Sequence, residues 1–192
     1  MTAASDGMTA EQLIGYEIPG KRVELVRGQL VVREPASFSH GALSLRIGIA
    51  LGNHLAREGE QQGWPLTRGR LATADPGFTL ARRPDTVRAP DIAYVSRERH
   101  AAPMPDGFPE FAPDLAVEVR SPSDRTGAVV AKVSDWLSAG TALVWVVDPP
   151  REQVVVYRAD GAVSVLTTGE TLIGEELLPG FALPLQELFA LN

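Results

Sequence analysis

The sequence predicts a single α/β domain over 1–192, a mixed β-sheet core flanked by helices and carrying additional β-hairpins. Three observations predict it. At 192 residues the chain is near the roughly 150 expected of one domain, and no repeat or low-complexity run divides it. A strand–helix–strand succession across 114–149 implies a crossover and a mixed sheet with helices packed on it. Two hairpin signatures, at Arg27-Gly28 and Asp160-Gly161, flank that unit.

The elements follow in order. Residues 1–8 read as a frayed end. Thr9 with Gln12 forms a capping box that opens a short helix to about Ile18. KRVELV and QLVVRE, on either side of Arg27-Gly28, form a hairpin over 21–34. Leu43, Ile47, Leu51 and Leu55 recur every four residues and predict a helix over 38–58. Gly41, Gly48 and Gly52 within it either weaken that helix or mark close packing. WPLTRGRLAT at 64–73 is a strand, a Pro/Arg-rich loop follows, and APDIAYV at 89–95 is a second strand. Four prolines make 100–113 a loop. DLAVEVRS at 114–121 is a strand, 125–139 a helix stopped by Gly140, and ALVWVVDP at 142–149 a strand. EQVVVYR and GAVSVLT form the second hairpin, and a helical turn or two follows Pro184.

Composition excludes several function classes. Asp plus Glu number 24 against 18 Lys plus Arg, a net charge of -6. The bulk field therefore repels nucleic acid, and any role on it must rest on a local patch or a metal. The absence of cysteine removes disulfides, thiolate zinc sites and cysteine nucleophiles. MTAASDGMTA lacks the basic and apolar regions of a signal peptide. The longest apolar run, ALVWVV, is far short of the ~20 residues of a membrane helix. A soluble cytoplasmic protein is expected. No P-loop, dinucleotide fingerprint, nucleophile elbow or zinc-protease motif is present. His40 and His54 lie about 21 Å apart along one predicted helix and cannot share a metal.

Three residues converge. In LAVEV, alternation puts Leu115, Val117 and Val119 on one face and Asp114, Ala116, Glu118 and Arg120 on the other. A crossover strand is covered on both faces, so Glu118 must be compensated by Arg120, a neighbouring strand, a cation or a metal. Asp91, after Pro90, is either a turn former or a carboxylate at a strand end facing a cleft. Lys132 falls three residues after Val129 and four before Trp136, on the apolar stripe of its helix. It must snorkel or meet an anion, and Glu118 on the preceding strand is within reach. Sixteen of the 18 basic residues are arginine, which singles out Lys21 and Lys132. Two carboxylates at adjacent strand ends make a hard-cation site for Mg²⁺, with Mn²⁺ as a substitute, and a lysine beside them can stabilise charge on phosphorus.

Pro90-Asp91, then 26 residues, then Glu118-x-Arg120, with a lysine on the next helix, resembles the PD-(D/E)xK nuclease superfamily. More closely, the chain resembles the Uma-two family of restriction-endonuclease-like proteins. RVELVRGQLV, Ser39-His40, APDIAYV, PDLAVEVRSPS, the helix with Lys132 and AGTALVWVVDP carry the resemblance over nearly the whole chain, 113–149 most specifically. It implies a restriction-endonuclease-like fold with a four-stranded mixed core sheet. It implies metal ligation by Asp91, Glu118 and the backbone carbonyl of Val119, with Lys132 as the catalytic lysine supplied from the following helix. Glu24 and His40 match cleft positions, one assisting a metal, the other touching phosphate or water. Arg120 stands at the compact motif's usual lysine position; it can stabilise charge but, with a pKa above ~12, is a poor base. Trp145 and Asp148-Pro149 are read as core and turn, and His54 and His100 as surface or loop residues.

Three functional readings compete. The first is a Mg²⁺-dependent endonuclease whose partner is DNA. The second is a non-catalytic DNA- or protein-binding scaffold on the same fold. The third is a hydrolase of small phosphodiesters. A homodimer is expected of an enzyme that cuts both strands, with LLPGFALPLQELFA at 177–190 serving as interface or as core.

Overall fold

In the computed structural model, which describes residues 7–61, 69–99, 103–122 and 124–190, the capping box forms as its spacing requires. Thr9 Oγ1 accepts the Gln12 N–H at 3.3 Å, and Gln12 Oε1 accepts the Thr9 N–H at 2.8 Å. The helix it opens, α1 (Ala10–Leu13), stops short of the expected Ile18 because Ile14 turns extended. Gly7 and Met8, at the end of the segment expected to fray, lie against the turn of the first hairpin. The Met8 N–H donates to Gly28 O at 2.9 Å, and a Cβ on Gly7 would lie 2.4 Å from that oxygen. Residues 1–6 lie outside the described residues.

β1 (Arg22–Val26) and β2 (Gln29–Arg33) pair antiparallel as expected. Arg27 and Gly28 turn between them at φ of 50° and 75°, the twist that suits a two-residue hairpin. α2 (Phe38–Gln61) buries Leu43, Ile47, Leu51 and Leu55 as the four-residue spacing predicted. Of Gly41, Gly48 and Gly52 only Gly48 has a neighbour there, Thr73 Cγ2 in ordinary contact at 3.6 Å from where a Cβ would stand.

β3 (Gly69–Thr73) confirms the end of the strand expected over 64–73; residues 64–68 lie outside the described residues. The expected Pro/Arg-rich loop is instead a short hairpin, β4 (Phe78–Ala81) and β5 (Thr86–Arg88). β6 (Ile92–Ser96), β7 (Leu115–Val119), α3 (Thr126–Ser138) and β8 (Leu143–Asp148) then form the crossover unit. β9 (Gln153–Arg158) and β10 (Val163–Thr167) are the second hairpin. β11 (Thr171–Gly174) and β12 (Leu178–Pro184) are a further hairpin, which the sequence reading missed, and α4 (Leu185–Phe189) closes the fold.

The central sheet has the order β10-β9-β8-β7-β6-β3, with β7 and β8 parallel and the other neighbours antiparallel. It holds six strands, not four, because β9 continues directly from β8 and brings β10 with it. Leu115, Val117, Val119 and Trp145 face α2 on one side. Ala116, Val144 and Val146 face Val133 and Trp136 of α3 on the other. A second sheet, β2-β1-β5-β4, lies at the strand-end side of β6 and β7.

The apolar C-terminus is core. Leu178, Phe181, Leu183, Leu185 and Leu188 are buried against α2 and the central sheet, so they supply no dimer interface. His54 is also buried, edge-on to Phe181 at 5.6 Å, and is not a surface residue. His100 lies outside the described residues. Among those residues no helix is long and apolar enough to cross a membrane.

Candidate active site

The two sheets meet at a cleft of about 360 Å³, lined by Glu24, Arg22, Arg33, His40, Asp91, Glu118, Val119 and Lys132 among others. Strand register builds one wall. Ile92 pairs with Val117 at the end of the ladder, so Asp91, one residue outside β6, and Glu118 follow at the same end of the two strands. Its Oδ2 accepts the Val119 N–H at 2.6 Å and its Oδ1 lies 2.7 Å from His40 Nε2. Burial opposes the charge on Asp91, but His40, the Val119 N–H and Lys132 outweigh it and hold the carboxyl below its ordinary value.

Both oxygens of Glu118 are held. Lys132 Nζ donates to its Oε2 at 2.8 Å, and Trp136 Nε1 to its Oε1 at 2.8 Å. Arg120 does neither. β7 ends at Val119, so alternation no longer governs the next residue, and the Arg120 guanidinium turns to Asp148. Burial pushes the Glu118 carboxyl up to about 7; Lys132 pulls against that, and the neighbouring Asp91 and Glu24 add to it.

Lys132 does not snorkel. It is buried, and its Nζ donates to Ala89 O at 2.8 Å and pairs with Glu24 Oε1 at 3.0 Å as well as with Glu118. Burial disfavours its charge, but Glu118 and Glu24 reverse the balance and keep it an ammonium. Glu24 comes from the other sheet, on the face of β1 opposite Leu25. Burial works against its charge too, yet Lys132, Arg88, the Ala89 N–H and Arg33 hold it at about 2. His40 sits in the first turn of α2, where Ser37 Oγ accepts its N–H at 3.3 Å, and its Nδ1 is buried without a hydrogen-bond partner. Of the two lysines singled out, Lys21 lies elsewhere, paired with the exposed Glu34 at 2.5 Å.

Asp91, Glu118, Lys132, Glu24 and His40 thus come together, Val119 contributes its N–H to Asp91, and Arg120 turns to Asp148. The sequence reading missed Arg88, which holds Glu24 at 3.0 Å and Asp135 at 2.6 Å. It also missed Arg22, which bridges Asp75 and Asp91, and Arg33, which bridges Glu24 and Asp124. Trp136 did carry a signal: four residues after Lys132, it shares that residue's helix face.

Among the described residues no three His, Cys, Asp or Glu side chains are grouped to hold a metal by themselves. The donor chemistry nonetheless fits Mg²⁺, which needs only one or two carboxylates and completes its octahedron with water and phosphate oxygens. Asp91 and Glu118 are two hard oxygen donors lining one cleft, near enough that the Asp91 charge adds to the upward push on Glu118, and a cation between them would relieve that push.

A family model described as "Putative restriction endonuclease" (Uma2) matches residues 10–186. Among solved structures, a protein described as a "putative nuclease belonging to DUF820", from Anabaena variabilis, superimposes with a TM-score of 0.75 at 19% identity. The match covers 95% of this chain and 97% of that one, and it shows a shared fold. No curated protein matches the chain.

Proposed function

Because the chain belongs to the Uma2 family, we propose that it is a Mg²⁺-dependent endonuclease that hydrolyses DNA phosphodiester bonds. The observation that carries this reading is the two carboxylates Asp91 and Glu118 lining one cleft, with the Lys132 ammonium 2.8 Å from Glu118 Oε2. Asp91, Glu118 and the backbone carbonyl of Val119 are the groups that would hold the metal. When bound, Mg²⁺ supplies Lewis acidity at the phosphate and lowers the pKa of attacking water.

The chain's own residues do the rest. Lys132, kept protonated by Glu118 and Glu24, is no proton acceptor; it orients water and stabilises charge that builds on the phosphate oxygens. His40 and the Val119 N–H fix Asp91 from both of its oxygens, so the ligand is oriented before substrate arrives. Trp136 does the same for Glu118. Arg88 and the Ala89 N–H hold Glu24 ionised, and Glu24 in turn places Lys132.

One observation favours the second reading, a binding protein without turnover: all four oxygens of Asp91 and Glu118 already accept or share a hydrogen bond. Plasmid cleavage in Mg²⁺, Mn²⁺ or EDTA, run beside Glu118→Ala, separates the two. Metal-dependent nicking that disappears in the variant is expected. Nicking that survives Glu118→Ala overturns the site. A Mn²⁺ titration that finds no site in the wild-type protein leaves the binding reading in place.

A further inference from the structure

We propose that Arg22 and Arg33 form a guanidinium clamp for backbone phosphates of the nucleic acid at the mouth of the cleft. The proposal rests on the nuclease reading and names the residues that hold its substrate.

The two arginines are direct partners in the β1–β2 ladder. Like charges placed opposite each other on an antiparallel pair are destabilising; here four carboxylates offset that cost, and a phosphate between the two guanidinium groups would do the same. Both line the cleft. They also reach two carboxylates of the candidate site: Arg22 Nη1 lies 3.3 Å from Asp91 Oδ1, and Arg33 Nε lies 3.4 Å from Glu24 Oε2.

Arg88 shows what a structural arginine looks like in this protein. It is 6% exposed and meets its carboxylates at 2.6 and 3.0 Å. Arg22 and Arg33 are 27% and 26% exposed, and their carboxylates stand at 3.1 to 3.4 Å. Those separations exceed the roughly 2.7–2.9 Å of a strong charge-assisted bond. Their partners Asp75 and Asp124 act as placeholders that a phosphate displaces. Asp75 is held for this by two successive non-glycine residues in the left-handed region, Ala74 at φ 65° and Asp75 itself at 59°. A planar fork suits phosphate better than a lysine would. In a chain of net charge -6, such a local patch answers the repulsion that the whole molecule presents.

The test is fluorescence anisotropy of a short fluorescein-labelled DNA duplex with the full chain in EDTA, at several salt concentrations. Arg22→Gln and Arg33→Gln are each expected to weaken binding about tenfold. Each is also expected to lower the slope of log K against log salt by about one. Asp75→Asn, which removes the placeholder and keeps Arg22, is expected to tighten binding, and the gain to vanish in Arg22→Gln/Asp75→Asn. Unchanged affinity and slope in both arginine variants overturn the clamp. So does weaker binding by Asp75→Asn, which marks Asp75 and Arg22 as scaffold only. If an arginine variant fails to fold by circular dichroism, Asp75→Asn alone decides. Arginine-dependent binding of inorganic phosphate as tight as that of the duplex overturns the backbone assignment in favour of a single-phosphate site. Binding is read without metal, so arginine-dependent binding without cleavage overturns the nuclease reading alone. Metal-dependent cleavage with arginine-independent binding overturns the clamp alone.

Discussion

Trp136 donates its indole N–H to Glu118 at 2.8 Å, so this carboxylate is gripped by a fully buried aromatic on one oxygen and by an ammonium on the other. Both grips come from one face of α3, one turn apart. The helix therefore sets the orientation of Glu118 as much as β7 does.

Trp136→Phe tests that grip. The ring that packs against Phe78 at 6.2 Å is largely kept, and the N–H is lost. Leaving a buried carboxylate oxygen unpaired costs about 1–3 kcal/mol. Loss of a residue that orients a metal ligand typically costs about 10–100-fold in metal affinity. Denaturant melts and a Mn²⁺ titration read the two effects, and a variant with wild-type metal affinity would show that the indole only packs.

Lys132→Met probes the centre of the charge lattice. It leaves Glu24 and Glu118 facing each other without their shared cation. Breaking a buried pair in this way destabilises by about 3–5 kcal/mol. Cleavage is expected to be lost, and adding Glu118→Gln is expected to recover stability without activity. Urea titration of the single and double variants measures the coupling.

Glu24 gives the acid limb of stability. Its carboxyl is held at about 2, against 4.5 unperturbed. A depressed folded-state pKa stabilises the folded protein above the unfolded value, and that gain disappears as pH falls from 4.5 through 2. The difference corresponds to about 3 kcal/mol. Near neutral pH, Glu24→Gln is expected to be less stable by that order, and the two proteins to converge on acidification. Urea titrations at stepped pH check this, and a gap that does not narrow rules out Glu24 as its source.

Glu118 acts with the opposite sign. A folded-state pKa pushed up to about 7 gives stability that is complete below 4.5 and lost as pH rises through 7. In EDTA the wild-type protein is expected to weaken on the alkaline side, and Glu118→Gln to remove that loss. Mg²⁺ or Mn²⁺ at about a hundred times its Kd is expected to add about 2.7 kcal/mol to the wild type alone. Scanning calorimetry with and without EDTA reads the difference, and an equal gain in Glu118→Gln places the ion elsewhere.

Much of this site was legible because it lies on regular elements. Alternation placed Glu118 under α3, and four-residue spacing turned Lys132 inward to meet it. Only the β1–β2 half of the second sheet was legible. β4 and β5 are four and three residues long, too short for a period to emerge, and Arg82, Arg83 and Pro84 between them read as loop. Arg88 was missed with its strand. β12 hid behind Pro179 and Gly180, and with it the partner that buries His54. Arg120 misled for a different reason: an alternation rule was carried one residue past the end of its strand.

Glu24 reaches Lys132 from one sheet while Glu118 reaches it from the other, so the charge lattice is a seam. Seams open before bodies do. A fluctuation that lifts the β1–β2 hairpin, with its small cluster of Ala10, Leu13, Leu25 and Val87, would dissolve the lattice while the six-stranded sheet stayed intact. Inactivation on warming would then precede melting, and the slowest-exchanging amides would belong to a molecule already silent.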